Sequence, residues 1–502
     1  MAPSRRMGDM LAPARAFHSG DCGKLAVSHQ HRGYTMRVRV LLQITADDGG
    51  DGDALEAAVF EKRPERPEDL GLSIAEGKAL MAAVQRQVVD AQVASWTERH
   101  RYCAACGARR RSKGSYPVTF MTLYGDVRLR SPRLHRCSCQ GTEGPATASP
   151  LSGLIPDHVA PERLYLAARW ASLAPYAAAA GLLADILPIA SGANAKTLRE
   201  HTLRVAERAE AELAEERPCF IDGCPADWAK LPIPEGRIVV GLDGGYVRNW
   251  QDRKTNFEVI VGRSVPEDRD AQYVGLVHGY DPKPKRRLFD TLKSQGLQAN
   301  QDVTFLTDGG EEIRALTELV TPVSEHVLDW FHITMRLTVL QQYARGVAHH
   351  DEAAGANLLT DLERIKWLLW HGNQHRALQT IGFFEDDVDA LEVDYPNLHK
   401  FARAAHEFGV YIAANTDSLI NYGERYRAGE RISSCLAEST VNAVISKRFA
   451  KRQQMQWTKR GAHLLLQTRT RALDGTLRPL FERWYPGLAN DIAPSHLHDD
   501  AA

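Results

Sequence analysis

Apolar positions along the chain change period several times, and each change predicts a different element. Residues 34–45, Tyr-Thr-Met-Arg-Val-Arg-Val-Leu-Leu-Gln-Ile-Thr, alternate with the period of a strand and run into the Gly/Asp-rich turn Asp47–Asp53. Leu80, Val84, Val88 and Val93 recur at helical spacing and predict a helix over 73–98. Val118–Tyr124 and Val127–Arg130 flank Gly125-Asp126 and predict a β-hairpin. Residues 161–215 return to helical spacing: Leu164–Ile186 is rich in Ala and Leu, Pro188–Ala193 interrupts it, and Lys196–Glu216 resumes with charged faces.

From residue 237 the pattern shortens to apolar runs bounded by turn residues. Ile238–Leu242, Phe257–Val261 and Tyr273–Val277 read as strands, with a polar turn at Asn249–Lys254 after the first. A helix over Leu288–Gln295, a strand Val303–Thr307, a helix Glu311–Leu319 and a short strand Glu325–Leu328 follow. A three-strand meander followed by strand–helix alternation predicts an α/β unit with helices on both faces of a mixed sheet. It is the element order of a ribonuclease H-like fold, in which the first and fourth strands are neighbours. Residues 333–430 are helical again, with Leu362, Ile365, Leu368 and Leu369 on one face, and they predict a helical insertion. Trp367, Trp370 and Tyr411 are expected in its core. A last helix is predicted over Ser439–Arg448.

Chemistry enters where these elements end. Asp243 follows the first strand, Asp308 the fourth, and Glu438 opens the last helix, 130 positions beyond Asp308. Carboxylates brought together repel unless a cation joins them. Oxygen ligands suit Mg2+ or Mn2+, and paired hard cations suit phosphoryl transfer. The competing reading is local: Asp-Gly-Gly at 243–245 and 308–310 is also turn chemistry, and an acid at a helix start is favoured by the dipole. In the metal reading the glycines leave room for a phosphate. Asp329 and His332, three apart at a helix start, can face the same side, with His332 either acting in the site or simply bonding to Asp329.

Charge sharpens the substrate. The chain has 502 residues and a formal net charge of −1, with 44% hydrophobic and 25% charged residues, so any nucleic-acid surface must be local. Residues 101–139 hold nine Lys/Arg, including Arg109, Arg110 and Arg111, against one acid, Asp126. Residues 447–471 hold Lys447, Arg448, Lys451, Arg452, Lys459, Arg460, Arg469 and Arg471 and no acid. Both stretches suit phosphate backbones. Trp457 fits either a base-stacking role or a core indole. The break in 161–215 allows a helix-turn-helix-like pair whose second helix carries Lys196, Arg199, His201 and Arg204; a plain packing unit is the alternative. Cys103, Cys106, Cys137 and Cys139 form two close pairs joined by the predicted hairpin, the layout of a zinc ribbon. The second pair is one residue short of the usual spacing, so His135 could replace a thiol, or the four could be buried thiols without metal. No segment is long and apolar enough to span a membrane, and the first residues lack a signal-peptide core. Residues 1–33 read as poorly structured, with Met36 an alternative start, and a cytoplasmic protein is expected.

Taken in order, Gly241-Leu-Asp-Gly-Gly-Tyr-Val-Arg248, Thr307-Asp-Gly-Gly310, Asp329-Trp-Phe-His332, Glu438-Ser-Thr-Val-Asn442 and the stretch Gln453–His463 resemble the DDE transposases of bacterial insertion sequences, most closely the ISKra-type branch related to Mutator-like enzymes. The resemblance covers about residues 36–475. It implies that Asp243, Asp308 and Glu438 are a metal-binding triad, that Asp329 and His332 are the intervening Asp-x-x-His motif, and that the activity is DNA cleavage and strand transfer at insertion-sequence ends. The expected organisation is an N-terminal strand/helix region (1–100), zinc ribbon (101–140), helical DNA-binding region (160–216), first catalytic part (236–332), helical insertion (333–430), last catalytic part (431–475) and tail (476–502). Double-stranded DNA is the expected partner, for both element ends and target, and joining two ends calls for a homo-oligomer. The competing function is a zinc-ribbon, helix-turn-helix DNA-binding protein whose ribonuclease H-like domain is inactive.

Overall fold

The computed structural model describes residues 35–45, 54–63, 65–140, 145–189, 193–234, 236–321, 323–433, 439–449 and 456–490. The expectations for residues 1–33 and for Glu438, Lys451 and Arg452 lie outside these residues. The chain divides into two compact units, Met1–Leu80 and Met81–Ala502. In the first, β1 (Met36–Leu42) and β2 (Leu55–Lys62) pair antiparallel. Ser73 and Glu76 then form a reciprocal capping box that starts a helix at Ile74. That helix runs to His100 and belongs to both units.

The second unit is mixed α/β. It begins with a hairpin of β3 (Ser112–Thr122) and β4 (Gly125–His135), which β5 (Thr147–Ala148) extends. Along β4, Val127, Leu129 and Ser131 are buried while Arg128 and Arg130 are exposed, so the period-two pattern separates an apolar face from a cationic one.

A five-stranded sheet is the centre of this unit. It comprises β6 (Ile238–Arg248), β7 (Asn256–Pro266), β8 (Gln272–Val277), β9 (Val303–Thr307) and β10 (Ser324–Leu328), in the order β10-β9-β6-β7-β8. The first three pair antiparallel as a meander; β9 and β10 join β6 in parallel. Helices Pro284–Ser294 and Glu311–Thr317 cover one face, packing Leu288, Phe289, Leu292, Ile313 and Leu316 on Val240, Leu242, Ile260 and Leu276. The other face, Phe257, Val259, Val261 and Val277, meets Leu465 and Leu466 of the Lys459–Leu473 helix and Val444 and Ile445 of Val441–Ser446. The predicted last helix is therefore present, but its middle is π-helical.

The Ala/Leu-rich stretch that reads as one helix is two, Pro161–Leu173 and Tyr176–Ile186. Ala174 is extended, as the ring of Pro175 demands of the residue before it. A third helix, Ala195–Ala211, is capped by Asn194 accepting from the Thr197 N–H. These helices share a core with the sheet through Ala179, Ala180, Leu183 and Leu198.

Between β10 and the π-helical turn lie helices Trp330–Ala348, Glu352–Trp370, Gln374–Asp389, Leu398–Ala414 and Tyr422–Arg427. Their core includes Leu362, Ile365 and Leu369 and continues into the sheet at Leu306, Val327 and Leu328. Trp370 packs against this core, but Trp367 is 49% exposed, with its indole N–H donating to Glu363. The core position expected for Trp367 is thus corrected: it lies between the buried positions Ile365 and Leu369, on the outward side of the stripe.

Candidate functional site

Strand register sets the site. Gly241 pairs with Leu306 across β6 and β9, and Leu306 with Val327 across β9 and β10. Continuing each register by two residues puts Asp243, inside β6, in one row with Asp308 and Asp329, which lie just past the ends of the parallel strands β9 and β10. A side chain two residues further along a strand returns to the same face, so the row is a consequence of register alone. The Asp329 N–H donates to Thr307 O at 2.9 Å and keeps the row intact past the end of β9.

The three carboxylates differ in their surroundings. Asp243 is half-buried and accepts from the Gly244 N–H at 2.7 Å. Burial raises its pKa; the Gly244 bond and the nearby His332 oppose that rise, and the charges of Asp308 and Asp329 add to it. Asp308 accepts from the Gly310 N–H at 3.0 Å. Asp329 is fully buried, caps the Trp330–Ala348 helix through the Phe331 N–H at 2.9 Å, and holds His332 Nδ1 at 3.1 Å. Burial alone would lower the His332 pKa. The Asp329 hydrogen bond and the charges of Asp329, Asp243 and Asp308 outweigh it and leave the imidazole raised. The structure thus brings Asp243, Asp308, Asp329 and His332 into one electrostatic group. Among the described residues these ligand atoms do not close to within 4.8 Å as a set of three.

The glycines beside the aspartates have a different use from the one expected. A Cβ on Gly244 would collide with the Glu258 carboxylate, one on Gly245 with Ile445, and one on Gly309 with Asn415. At these three positions the space is filled by protein and is not an open phosphate cradle, whereas beside Gly310 only the Asp308 carboxylate stands. Gly309 is also at φ +84, where a side chain is strained. Asp243-Gly-Gly itself lies inside β6, not in a turn.

Sequence reasoning missed the neighbours of this row. Glu258 on β7, His278 and Glu312 place one ligand atom each within 4.8 Å of one another, with His278 Nδ1 2.9 Å from Glu312 and 3.6 Å from Glu258. Burial raises the Glu258 pKa, His278 opposes the rise, and Glu312 and Asp308 reinforce it. These residues are dispersed in sequence and carry no motif. A third group, Glu210, Asp281 and His463, surrounds Arg287, which donates to Glu210 and Asp281 at 2.8 Å and to Gln467 at 2.7 Å. There a guanidinium already supplies the charge a cation would bring.

The four cysteines come together. Cys103 and Cys139 sulfurs are 3.5 Å apart, as are those of Cys106 and Cys137, and all four lie mutually within 4.8 Å. Backbone N–H groups of Ala105 and Cys106, then the Cys139 side chain, lower Cys103 to about 6. The set can hold a metal ion, with no need of His135. Compared with known proteins, the chain matches no protein-family model and no curated protein.

The basic residues divide. Arg109 and Arg111 are exposed, and Arg110, half-buried, donates to His135 O at 3.1 Å. Arg460 is exposed but paired with Glu207, and Lys459 is half-buried. Trp457 is corrected to a core residue: it is 5% exposed, with its ring 4.5 Å from Phe449 and Arg448 over its face. Arg448 and Arg469 are buried too, donating to the carbonyls of Ala171 and Val444 at 3.0 and 2.8 Å. They brace helix ends, and the expected basic surface over 447–471 is reduced accordingly. His201 is likewise buried, while Lys196 and Arg204 pair with Glu200 and Asp157. In the Ala195–Ala211 helix this leaves Arg199 as the exposed cation of the expected reading set without a carboxylate partner among the described residues.

Proposed function

We propose that this chain is a DDE-type DNA transposase with a ribonuclease H-like catalytic domain and a zinc ribbon. The observation that carries the reading is the row formed by Asp243 inside β6 and Asp308 just past the end of the adjacent parallel strand β9, next to a carboxylate–imidazole pair. Sheet order β10-β9-β6-β7-β8, with antiparallel β6, β7 and β8 followed by parallel β9 and β10, is the arrangement that fold requires. Burial chiefly raises the Asp243 pKa, and the neighbouring Asp308 and Asp329 charges add to it, so a cation between them would relieve both. Asp243 and Asp308 therefore fit as divalent-cation ligands, with Glu438 as the third by resemblance. Residues 439–446 support that choice, because Val441 and Ile445 pack on Gly245, two positions beyond Asp243.

Magnesium or manganese held there would supply Lewis-acid activation of the attacking and leaving oxygens of a phosphodiester. The chain's own residues do the positioning. Asp329 orients His332 through Nδ1 and leaves Nε2 facing away from it, able to donate to a phosphate oxygen or an attacking water. For the cysteines, tetrahedral zinc at about 2.3 Å per thiolate requires sulfur–sulfur separations of about 3.8 Å. The observed 3.5 Å pairs suit that geometry. Arg109, Arg111, Arg128 and Arg130 then give the ribbon an exposed cationic face for DNA.

The test uses purified protein, Mg2+ or Mn2+, and a DNA fragment carrying the element's own ends, assayed for nicks and joined products. Asp243→Asn should abolish both while end binding persists. Sequence-specific binding with no cleavage by the wild type would favour a regulator with an inactive domain. Cleavage that survives in Asp243→Asn would remove the transposase assignment.

A further inference from the structure

The helix capped by Asp329 carries a cation, Arg336, one turn beyond His332. Arg336 lies four residues beyond His332 on the Trp330–Ala348 helix and so shares its face. Its guanidinium sits 4.1 Å from the ring centroid of Tyr411, on the Leu398–Ala414 helix. Tyr411 belongs to the same neighbourhood: burial raises its hydroxyl pKa, Arg336 opposes that, and Asp308 and Asp329 add to it. Arg336 is exposed and forms no ion pair among the described residues, although acids lie within electrostatic range of the ring beneath it.

The platform under Arg336 is built, not incidental. The Tyr411 hydroxyl is buried and lacks a hydrogen bond of normal geometry. Asn415, 3% exposed, donates to Tyr411 O at 2.9 Å, leaves its Oδ1 unpartnered, and occupies the space over Gly309 beside Asp308. The ring, the amide and the Asp308 loop thus form one packed unit beneath the Arg336 guanidinium. A planar guanidinium matches phosphate geometry, and Arg336 has no carboxylate partner among the described residues.

We propose that Arg336, held on the face of Tyr411, binds a backbone phosphate of the DNA strand entering the carboxylate site. This rests on the proposed function for the identity of the ligand. Arg336 is the contacting group and Tyr411 a positioning residue.

The experiment measures binding of the full chain to a short fluorescent duplex of mixed sequence over a range of salt. Magnesium-dependent nicking of the same duplex is read in parallel, with Asp243→Asn as control. Arg336→Ala should weaken binding roughly tenfold and make the log K against log salt slope shallower by about 0.9, the loss of one phosphate contact. Arg336→Lys should keep the slope but lose affinity, because an ammonium offers no planar fork. Tyr411→Phe should bind as wild type, and Tyr411→Leu should lose affinity with the slope retained. Equal affinity and slope in Arg336→Ala, or a wild type that binds no duplex, overturns the subsite whatever the nicking assay shows. Weaker, shallower binding by Arg336→Ala with no nicking by the wild type of a duplex carrying the element's own ends keeps the subsite and removes the transposase reading.

Discussion

Asp329 accepts from Phe331 and from His332, so its carboxylate is engaged by its own helix before any ligand arrives. The consequence is measurable through His332. Its folded pKa is raised above the ordinary value of 6.5, so the stability it contributes is complete below that value and is lost as pH rises through the elevated one. In chelator, the thermal midpoint of the wild type should fall from about pH 6 to about pH 9 by more than that of His332→Gln. Parallel curves would remove the charged pairing. Trp457 makes a second residue-scale prediction. As a core indole beside Phe449, its replacement by Ala should cost about 3–5 kcal/mol in chemical denaturation, with duplex affinity per folded molecule unchanged. A stacking role would give the reverse. Its spacing in sequence could not separate the two, because one indole in a basic stretch fits both a base and a core.

Elements were legible in proportion to how regularly they are buried. Runs such as Val303-Thr-Phe-Leu-Thr307 are covered on both faces by helices, and parallel strands so buried read as nearly continuous apolar segments. The break at Pro175 was overlooked because Ala and Leu continue on both sides of it. Polar ties between elements left no pattern at all. Arg287 links the Ala195–Ala211, Pro284–Ser294 and Lys459–Leu473 helices through Glu210 and Gln467, and also holds Asp281. Arg287→Met strands the Glu210 and Asp281 carboxylates, and the expected loss is about 3–5 kcal/mol by denaturant titration. The cysteine pairs, by contrast, were readable, since two short spacings joined by a hairpin leave few other arrangements. Elemental analysis should find one zinc per chain bound there, lost in Cys103→Ser/Cys137→Ser together with protease resistance of residues 101–140. Full zinc content in that variant would place the metal elsewhere.

At the scale of the whole molecule, a net charge of −1 concealed how cations are partitioned. Arg448 and Arg469 are consumed by carbonyls inside the core, and Arg128 and Arg130 are displayed on one strand face. Arg128→Ala/Arg130→Ala should therefore reduce the salt slope of duplex binding by about 1.8 without altering stability, whereas an unchanged slope would make that face a solvated one. The helical character of residues 333–430 was legible, but the attachment of these helices to the sheet was not. His326 on β10 receives or donates one bond to Thr307 at 2.7 Å and another to Ser418 at 2.6 Å, and Tyr422 donates to Leu328 O at 2.7 Å. Thr307 in turn accepts from the Gly309 N–H. The bundle is thus tied, bond by bond, to the short loop that carries Asp308. Ser418→Ala removes the tie between the bundle and His326 and should slow any chemistry at the Asp308 loop without touching a carboxylate.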